Sequence, residues 1–266
     1  MATTVIMNVY NEEYYLPFWL TYHKKIFDHG IVVDYCSTDR SMDIVRKICP
    51  HWTIRTTKNI AEDGKPYFHS ACNDIEAMGI ESEITGYKIF MNTTEWLLIN
   101  KPLKEILDFS KPTVYKIKPI TNAPPDHLPP PCPHPDNTKE FMRMGFGTLV
   151  HDSYRVGWRF IHNCKNGRYW TGRHFTDHPT ELQKDGKPDM YMVWSAFYPW
   201  TEKIIERRLE IKKNIPEVER KSGRCWQHFW TREKMIEEYK MINRQSHVPN
   251  DKNYAKALDY SIRLIE

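Results

Sequence analysis

Glycine is scarce in this chain, and its absence from one position excludes a large class of nucleotide-binding proteins. Only 11 of the 266 residues are glycine, and none follows the first apolar run, where the sequence reads Tyr10-Asn11-Glu12-Glu13. Dinucleotide-binding domains need a G-x-G-x-x-G turn at this point, so that the backbone can approach the pyrophosphate. The missing turn argues strongly against NAD or FAD and also against a nucleotidyltransferase, which usually needs a glycine-rich phosphate loop there.

Long apolar runs, paired cysteines and a marked excess of one charge are missing as well. No window approaches the roughly 18 apolar residues that span a bilayer, and the first residues lack the features of a secretion signal. We therefore expect a cytoplasmic protein without a transmembrane segment, either free or peripheral at a membrane. The six cysteines form no C-x-x-C pair and are expected to be free thiols. A net charge of +4 is too balanced to predict a nucleic-acid partner, and the oligomeric state stays open.

What the chain does contain is an alternation of short apolar runs with helical patterns. Strands are predicted over residues 4–9, 30–36, 53–57 and 87–91, with helices between them. The third of these helices, over residues 68–78, is expected to turn Ala71, Ile75 and Met78 to one side. This order predicts an α/β fold with a mostly parallel sheet and flanking helices.

The second half of the chain has a different character. Seven prolines between residues 123 and 135 predict a loop, and strands are expected over residues 145–150 and 168–174. Helices are predicted over residues 193–214, 232–245 and 254–265. We expect one domain, made of a nucleotide-binding half (1–100), an acceptor-side half (101–189) and a helical C-terminal part (190–266).

Polar residues follow three of the predicted strands, and ligands of open α/β sheets bind beyond the carboxyl ends of the strands. The candidate ligand-binding residues at these ends are Tyr10, Asn11, Glu12, Asp34, Ser37, Asp39, Asn92, Thr94 and Glu95. Asp34 can accept a hydrogen bond from a ribose hydroxyl or a uracil-type imide. Taken singly, Ser37 and Asp39 are better explained as helix caps, and Glu12 as a solvated carboxylate at a helix start; taken together at adjacent strand ends, they favour a binding site.

These residues carry a resemblance to a known family. The order Asn11-Glu12, then residues 16–20 (Leu-Pro-Phe-Trp-Leu), His23, Asp34 and a Ser-Thr-Asp turn at 37–39 is similar to the opening of family 2 glycosyltransferases. The segment 199–228, from a Pro-Trp-x-Glu to a Gln-His pair, resembles a later element of the same family. The resemblance implies a GT-A fold, a nucleoside-diphosphate-sugar donor, most simply UDP-linked, and transfer to a hydroxyl acceptor such as a glycan, usually with inversion.

The chain departs from the family at the metal motif. Relatives carry an Asp-x-Asp-Glu cluster that holds a divalent ion against the donor diphosphate, whereas this sequence has Asn92, Thr94 and Glu95. Because hard cations prefer charged oxygen ligands, Mn²⁺ or Mg²⁺ is expected to bind weakly at Glu95 and Asn92 or not at all. Three alternatives remain: a weak metal site, metal-independent catalysis, or an inactive GT-A domain that only binds nucleotide-sugar or glycan.

Two further sets of residues are candidates for catalysis. Arg224 and His228, with Lys221, Arg207 and Arg208, can neutralise the leaving diphosphate in place of a metal. Asp177 is the predicted general base, with His174 or His178 as orienting or substitute groups and Glu181 and Asp152 as alternatives. A zinc site made of His174, His178, Cys225 and His228 is a minor alternative, since the spacing fits no standard pattern.

Overall fold

The structure is a computed structural model that describes residues 2–122, 124–125, 128–148, 150–151, 157–170, 172–195 and 197–266, apart from the side chains of residues 226 and 227. Its strands are β1 (Thr3–Val9), β2 (His29–Asp34), β3 (Thr53–Thr56), β4 (Tyr87–Asn92), β5 (Glu95–Ile99), β6 (Val114–Ile117), β7 (Pro119–Asn122), β8 (Val150–His151), β9 (Arg159–His162), β10 (Tyr169–Trp170), β11 (Phe175–Thr176), β12 (Gln183–Asp185) and β13 (Met190–Trp194). The α-helices are α1 (Leu16–His23), α2 (Ser41–Ile48), α3 (Ser70–Ser82), α4 (Leu103–Ile106), α5 (Thr138–Phe146), α6 (Glu202–Ile211), α7 (Glu217–Lys221), α8 (Arg232–Gln245) and α9 (Lys252–Arg263).

Two sheets organise the part of the chain that the structure describes. The larger has the order β12-β6-β9-β4-β1-β2-β3, and β4, β1, β2 and β3 run parallel to one another. The smaller has the order β5-β13-β7-β8, and β10 pairs with β11 as a separate hairpin. A mostly parallel mixed sheet with flanking helices and a helical C-terminal part confirms the predicted fold class. None of the described helices has both the length and the apolar content that crossing a membrane requires.

Side chains of helix α1, which carries the Trp and His of the sequence resemblance, form hydrogen bonds with the backbone of β5. Trp19 Nε1 donates to the carbonyl of Glu95 at 2.8 Å, and the Tyr22 hydroxyl donates to the carbonyl of Leu97 at 2.6 Å. His23 Nδ1 lies 2.9 Å from the carbonyl of Trp19, and its Nε2 accepts from the amide of Leu97. These residues therefore join the two sheets at the strand that begins with Glu95.

Three secondary-structure predictions are wrong. Residues 190–194 form β13, a strand of the smaller sheet, and the helix begins only at Glu202. Residues 145–146 end helix α5 instead of opening a strand. On α3, Ile75 is 66% exposed, whereas Asp74 and Glu81 are buried. The two carboxylates are tolerated inside because each has polar partners, and hydropathy alone does not reveal such partners.

Candidate functional site

The carboxyl ends of β1 and β2 are joined by hydrogen bonds that shape the first half of the site. Asn11 has a left-handed backbone with φ of 53°. Its amide donates to Ser37 Oγ at 3.2 Å, and its Oδ1 accepts from the amide of Thr38 at 2.8 Å. Asp39 accepts from the amides of Ser41 and Glu13 at 2.9 and 3.1 Å. Asn11, Ser37 and Asp39 thus form the frame of this edge.

Asp34 and Tyr10 are the groups on this edge that remain open to a ligand. Asp34 is half-buried, and its Oδ1 accepts from the amide of Ser37 at 2.9 Å, while Oδ2 has no partner among the described residues. The rings of Tyr10 and Phe68 pack edge to face with their centres 5.2 Å apart, and the Phe68 ring also contacts Tyr35. A half-buried carboxylate beside aromatic rings is suited to the ribose and base of a nucleotide.

Glu95 does not fit a divalent metal site. It is 1% exposed, and Arg159 Nε and Nη2 donate to its two oxygens at 2.9 and 2.5 Å. The same oxygens accept from the amide and Nδ2 of Asn92 at 2.9 and 3.1 Å. With the carboxylate neutralised by a guanidinium, Asn92 and Thr94 would be left to hold the ion, and neither supplies a negative charge.

The tip of the β10–β11 hairpin places a second arginine beside Asn92. Gly172 and Arg173 both have left-handed backbones, with φ of 73° and 63°. Arg173 lies with its Nη2 3.5 Å from Asn92 Oδ1 and its guanidinium carbon 4.3 Å from the centre of the Phe90 ring. Its Nε is buried and has no hydrogen-bond partner in the described part of the chain. A buried cation with long hydrogen bonds and a spare donor is the arrangement that an anion can complete.

Asp74 of α3 holds this tip in place. Its carboxylate accepts from the amide of Gly172 at 2.9 Å and from Arg173 Nη1 at 3.4 Å. Burial raises the pKa of the Asp74 carboxyl above its ordinary value, although the Arg173 charge acts in the opposite direction. Perturbed carboxyl groups of this kind are concentrated at functional sites.

His174 reaches the site, but the lone pair of its ring already accepts a hydrogen bond from Arg159. Its Nδ1 accepts from Arg159 Nη1 at 2.7 Å. Burial, followed by the charges of Arg159 and Arg173, lowers the pKa of His174 to about 2. The neutral ring therefore helps to orient Arg159, and the expectation that it substitutes for the base is not supported.

The structure does not bring the other predicted acid–base residues to this edge. Tyr169, at the foot of the hairpin, bonds Glu81 of α3, whereas the tip bonds Asp74 of the same helix. Asp74 and Glu81 are seven residues apart, so the foot and the tip of the hairpin are about 10 Å apart along α3. Asp177 and His178 lie at the foot, because Asp177 pairs with Arg168 and His178 bonds the carbonyl of Asn166. Exposed Glu181 follows them, and Asp152 lies outside the described residues. The hairpin reverses the chain, which the local density of candidates in the sequence could not show.

Helix α6 contributes a basic cluster at the end of β1. Arg207 Nη2 donates to Glu12 Oε1, while Glu12 Oε2 and Arg207 Nε are buried and have no partner among the described side chains and backbone. Burial and the charges of Arg208 and Arg207 lower the pKa of the half-buried His228 to about 4. Arg224 and Lys221 are exposed. The cluster therefore holds more positive charge than Glu12 balances.

His174, His178 and His228 lie in three different parts of the structure. The minor alternative of a zinc site made of these histidines and Cys225 is therefore not supported.

Comparison with known proteins gives remote likenesses. No protein-family model matches the chain, and no curated protein matches it. Among solved structures, it is similar to Staphylococcus aureus TarS 1–349, with 13% identity, a TM-score of 0.44, and coverage of 80% of this chain and 65% of that one. It is also similar to the Pyrobaculum calidifontis mannosyltransferase PcManGT in complex with GDP-Man and Mn²⁺, with 13% identity, a TM-score of 0.39, and coverage of 99% and 69%.

A third likeness is to Mycobacterium tuberculosis glucosyl-3-phosphoglycerate synthase in complex with Mn²⁺, UDP and glucosyl-3-phosphoglycerate. The identity is 15%, the TM-score is 0.31, and the match covers 45% of this chain and 44% of that one. The chain spans less than two thirds of the length of each TarS chain that it resembles. Since every one of these TM-scores is below 0.5, the likenesses do not by themselves assign an activity.

Three residues of the site were missed by sequence reasoning: Asp74, Arg159 and Arg173. Arg173 belongs to the polar segment that was singled out, but no local pattern distinguishes it from its neighbours there. Arg159 begins a short strand that the sequence did not predict, and no motif in the sequence singled out Asp74 on α3. Only the pairing of β9 and the packing of the hairpin on α3 bring them together.

Proposed function

We propose that this chain is a glycosyltransferase that takes a sugar from a nucleoside diphosphate, UDP in the simplest case, and passes it to a hydroxyl acceptor. The observation that carries the proposal is the meeting of Asp34, Asn92 and Arg173 at one edge of the sheet. Asp34 offers an acceptor to the base or ribose, and Arg173 offers charge to the diphosphate. Glu12 Oε2, which has no partner among the described residues, supplies a further acceptor for a nucleotide hydroxyl.

We further propose that arginine takes the place of a divalent ion against the diphosphate. The degenerate Asn92-Thr93-Thr94-Glu95 segment supports this, because Arg159 already neutralises Glu95 and Arg173 lies next to Asn92. A guanidinium donates two parallel hydrogen bonds to phosphate oxygens, which stabilises the negative charge that develops on the leaving group. His228 with Arg207 and Arg208 is a second source of this stabilisation, from the side of α6.

An exposed aromatic pair supports a carbohydrate acceptor. Trp170 and Phe175 stack at 4.6 Å on the same hairpin and are 49% and 45% exposed. Large exposed aromatic faces are suited to sugar rings, which present C–H groups to them. If the pair holds the acceptor, Trp170→Ala abolishes glycan binding on an array while leaving the affinity for nucleotide unchanged. An unchanged glycan profile would remove this pair from the proposal.

Calorimetry with UDP, GDP and dTDP in EDTA tests the function. We expect one of them to bind with a micromolar dissociation constant, equivalent to about 8 kcal/mol. Asp34→Ala should then lose at least about 1.4 kcal/mol, a tenfold change. Exposed Asp43→Ala is the matched control. Failure of all three nucleotides to bind at millimolar concentration rules out the proposal.

The same edge is also compatible with a domain that only binds nucleotide-sugar. The observation that favours this alternative is the engagement of Glu95 and Asp74 by arginine, which leaves neither carboxylate free to act as a base. Release of nucleoside diphosphate from the matching nucleotide-sugar decides between the two. Binding without transfer or hydrolysis in the presence of a glycan panel selects the binding-only domain.

A further inference from the structure

A cluster of metal-ligand side chains lies at the other end of the sheet. One ligand atom from each of His162, Cys164 and His178 lies within 4.8 Å of the other two. His162 is on β9, opposite Lys88 near the start of β4, whereas Asn92 ends β4. Measured along β4 from Lys88 to Asn92, the cluster is therefore about 13 Å from the carboxyl ends of the strands, where the proposed nucleotide site lies. It is separate from the site described above.

His162 is held as metal-ligating histidines are held. Its Nε2 lies 3.3 Å from Glu81 Oε2, and Glu81 Oε1 accepts from the Tyr169 hydroxyl at 3.1 Å. A carboxylate on one ring nitrogen fixes the proton there and leaves the other nitrogen as a free lone pair. That nitrogen, Nδ1, is fully buried and has no hydrogen-bond partner among the residues that the structure describes. An unsatisfied buried acceptor of this kind is costly unless a ligand fills it.

The remaining groups around the cluster set its charge. His178 is 4% exposed, and its ring nitrogens lie 2.6 Å from Thr176 Oγ1 and 3.0 Å from the Asn166 carbonyl. The buried Lys88 ammonium, which donates to the carbonyls of Ile84 and Lys165, opposes a cation. The Glu81 carboxylate offsets Lys88. A bound thiolate then lowers the net charge of a divalent ion further.

We propose that His162, Cys164 and His178 bind a divalent transition metal of the zinc class. Two imidazoles and one thiolate are ligands that such ions prefer, with a solvent molecule completing a tetrahedron. Bond lengths of about 2.0–2.3 Å place tetrahedral ligand atoms about 3.5 Å apart, so the cluster contracts by about 1 Å on binding. His178 turns one ring nitrogen from its present partner to the ion, and the Cys164 thiol releases its proton to solvent.

The metal would fasten the foot of the β10–β11 hairpin to β9. Cys164 lies two residues after β9, and His178 lies two residues after β11. The tip of that hairpin carries Arg173, so the site stabilises the element that presents Arg173 without touching a ligand there. The proposal does not depend on the nucleotide site.

Cobalt titration of the purified full chain tests the proposal. Co²⁺ bound through a thiolate gives a sulfur-to-metal charge-transfer absorption band, and Zn²⁺ should displace it. We expect the band in the wild type, its loss in Cys164→Ser, and at least about 100-fold weaker cobalt affinity in Cys164→Ser and His178→Gln. Cys72→Ser, on α3 outside the cluster, is the matched control and should keep both band and affinity.

Replacing Glu81, the partner of His162, tests whether the residues around the cluster support metal binding. Glu81→Gln should keep the band but weaken affinity by about 10- to 100-fold, as outer partners of ligating histidines do. Absence of the band in the wild type overturns the proposal and needs no variant to fold. Equal cobalt affinity in the wild type and in Cys164→Ser, with folding confirmed by circular dichroism, also overturns it.

Discussion

Arg173 shows how much a single backbone conformation decides at the residue scale. A left-handed φ at a residue other than glycine is uncommon and costs energy, and it persists only where the surroundings hold it. Here Asp74 holds both Gly172 and Arg173, and the Phe90 ring lies under the guanidinium. The consequence is a buried cation at the edge of the sheet, beside Asn92.

Replacing Arg173 should therefore weaken nucleotide binding. A hydrogen bond between charged groups contributes about 1.5–3 kcal/mol, so Arg173→Ala should lower the affinity for the best nucleoside diphosphate roughly 10- to 100-fold. Calorimetry in EDTA measures this, with Arg168→Ala at the exposed foot of the hairpin as control. A change of less than twofold in Arg173→Ala would show that another group carries the diphosphate.

Without nucleotide, Mn²⁺ should have a low affinity for the site formed by Asn92 and Glu95. Since the Glu95 carboxylate is bonded to Arg159, we expect a millimolar or weaker dissociation constant, about 4 kcal/mol or less. Nucleotide affinity should be the same in EDTA and in Mn²⁺, as measured by calorimetry in parallel buffers. A gain of tenfold or more with Mn²⁺ would contradict the replacement of the metal by arginine.

Asp177 is the residue for which sequence and structure disagree most. Because it lies at the foot of the hairpin and not at the tip, Asp177→Asn should change turnover by less than about twofold, whereas loss of a general base costs about 10² to 10⁴. Initial rates with the matching nucleotide-sugar measure it, beside exposed Asp185→Asn. A 100-fold loss in Asp177→Asn alone would restore it as the base.

At the scale of elements, α1 and β5 form one unit. The side chains of Trp19, Tyr22 and His23 bond the β5 backbone or the turn of α1 that meets it. Burial lowers the pKa of His23 to about 3. In addition, the protonated ring would turn a second donor toward the Leu97 amide, which is itself a donor. These three residues, which belong to the sequence resemblance, are thus framework for the strand that begins at Glu95.

This histidine makes stability depend on pH. Its pKa is about 3 when folded but about 6.5 when unfolded, so the unfolded chain binds the extra proton as pH falls. The contribution of His23 is complete above pH 6.5 and declines toward pH 3, with a loss of about 2 kcal/mol at pH 5.

Urea unfolding at pH 7 and pH 5 measures this contribution. His23→Gln should be less stable than the wild type at pH 7 but lose about 2 kcal/mol less between the two values. Exposed His29→Gln is the control and should follow the wild type. Identical losses in His23→Gln and the wild type would exclude a buried neutral imidazole.

At the scale of the whole molecule, the C-terminal part packs against the proposed nucleotide site. Glu219 is 1% exposed, and its Oε1 accepts from the amide and hydroxyl of Ser70 at 2.9 Å each, at the start of α3. The amide of Phe68 donates to the carbonyl of Asn214, and Arg207 reaches Glu12. The segment from α6 to His228 therefore covers the ends of β1 and α3.

Nucleotide binding should make this segment more rigid. Hydrogen exchange of amides in residues 202–229 is expected to slow when the best nucleotide is added, because the diphosphate links α6 to the sheet. Glu219→Ala should speed exchange there in the free protein by removing the bonds to Ser70, whereas exposed Glu217→Ala should not. Exchange that is unaffected by nucleotide would separate the C-terminal part from the site.

The sequence by itself determined the α/β fold, the parallel strands β1 to β4 and the sheet edge where Asp34 and Asn92 meet. Apolar runs and turns are local signals, and parallel strands bring their carboxyl ends together whatever the rest of the chain does. The pairing of Arg159 with Glu95, the insertion of Arg173 beside Asn92 and the separation of Asp177 from both were decided by tertiary structure. Each depends on contacts between residues 64 to 99 positions apart, and no local pattern records which distant partner a charged side chain will meet.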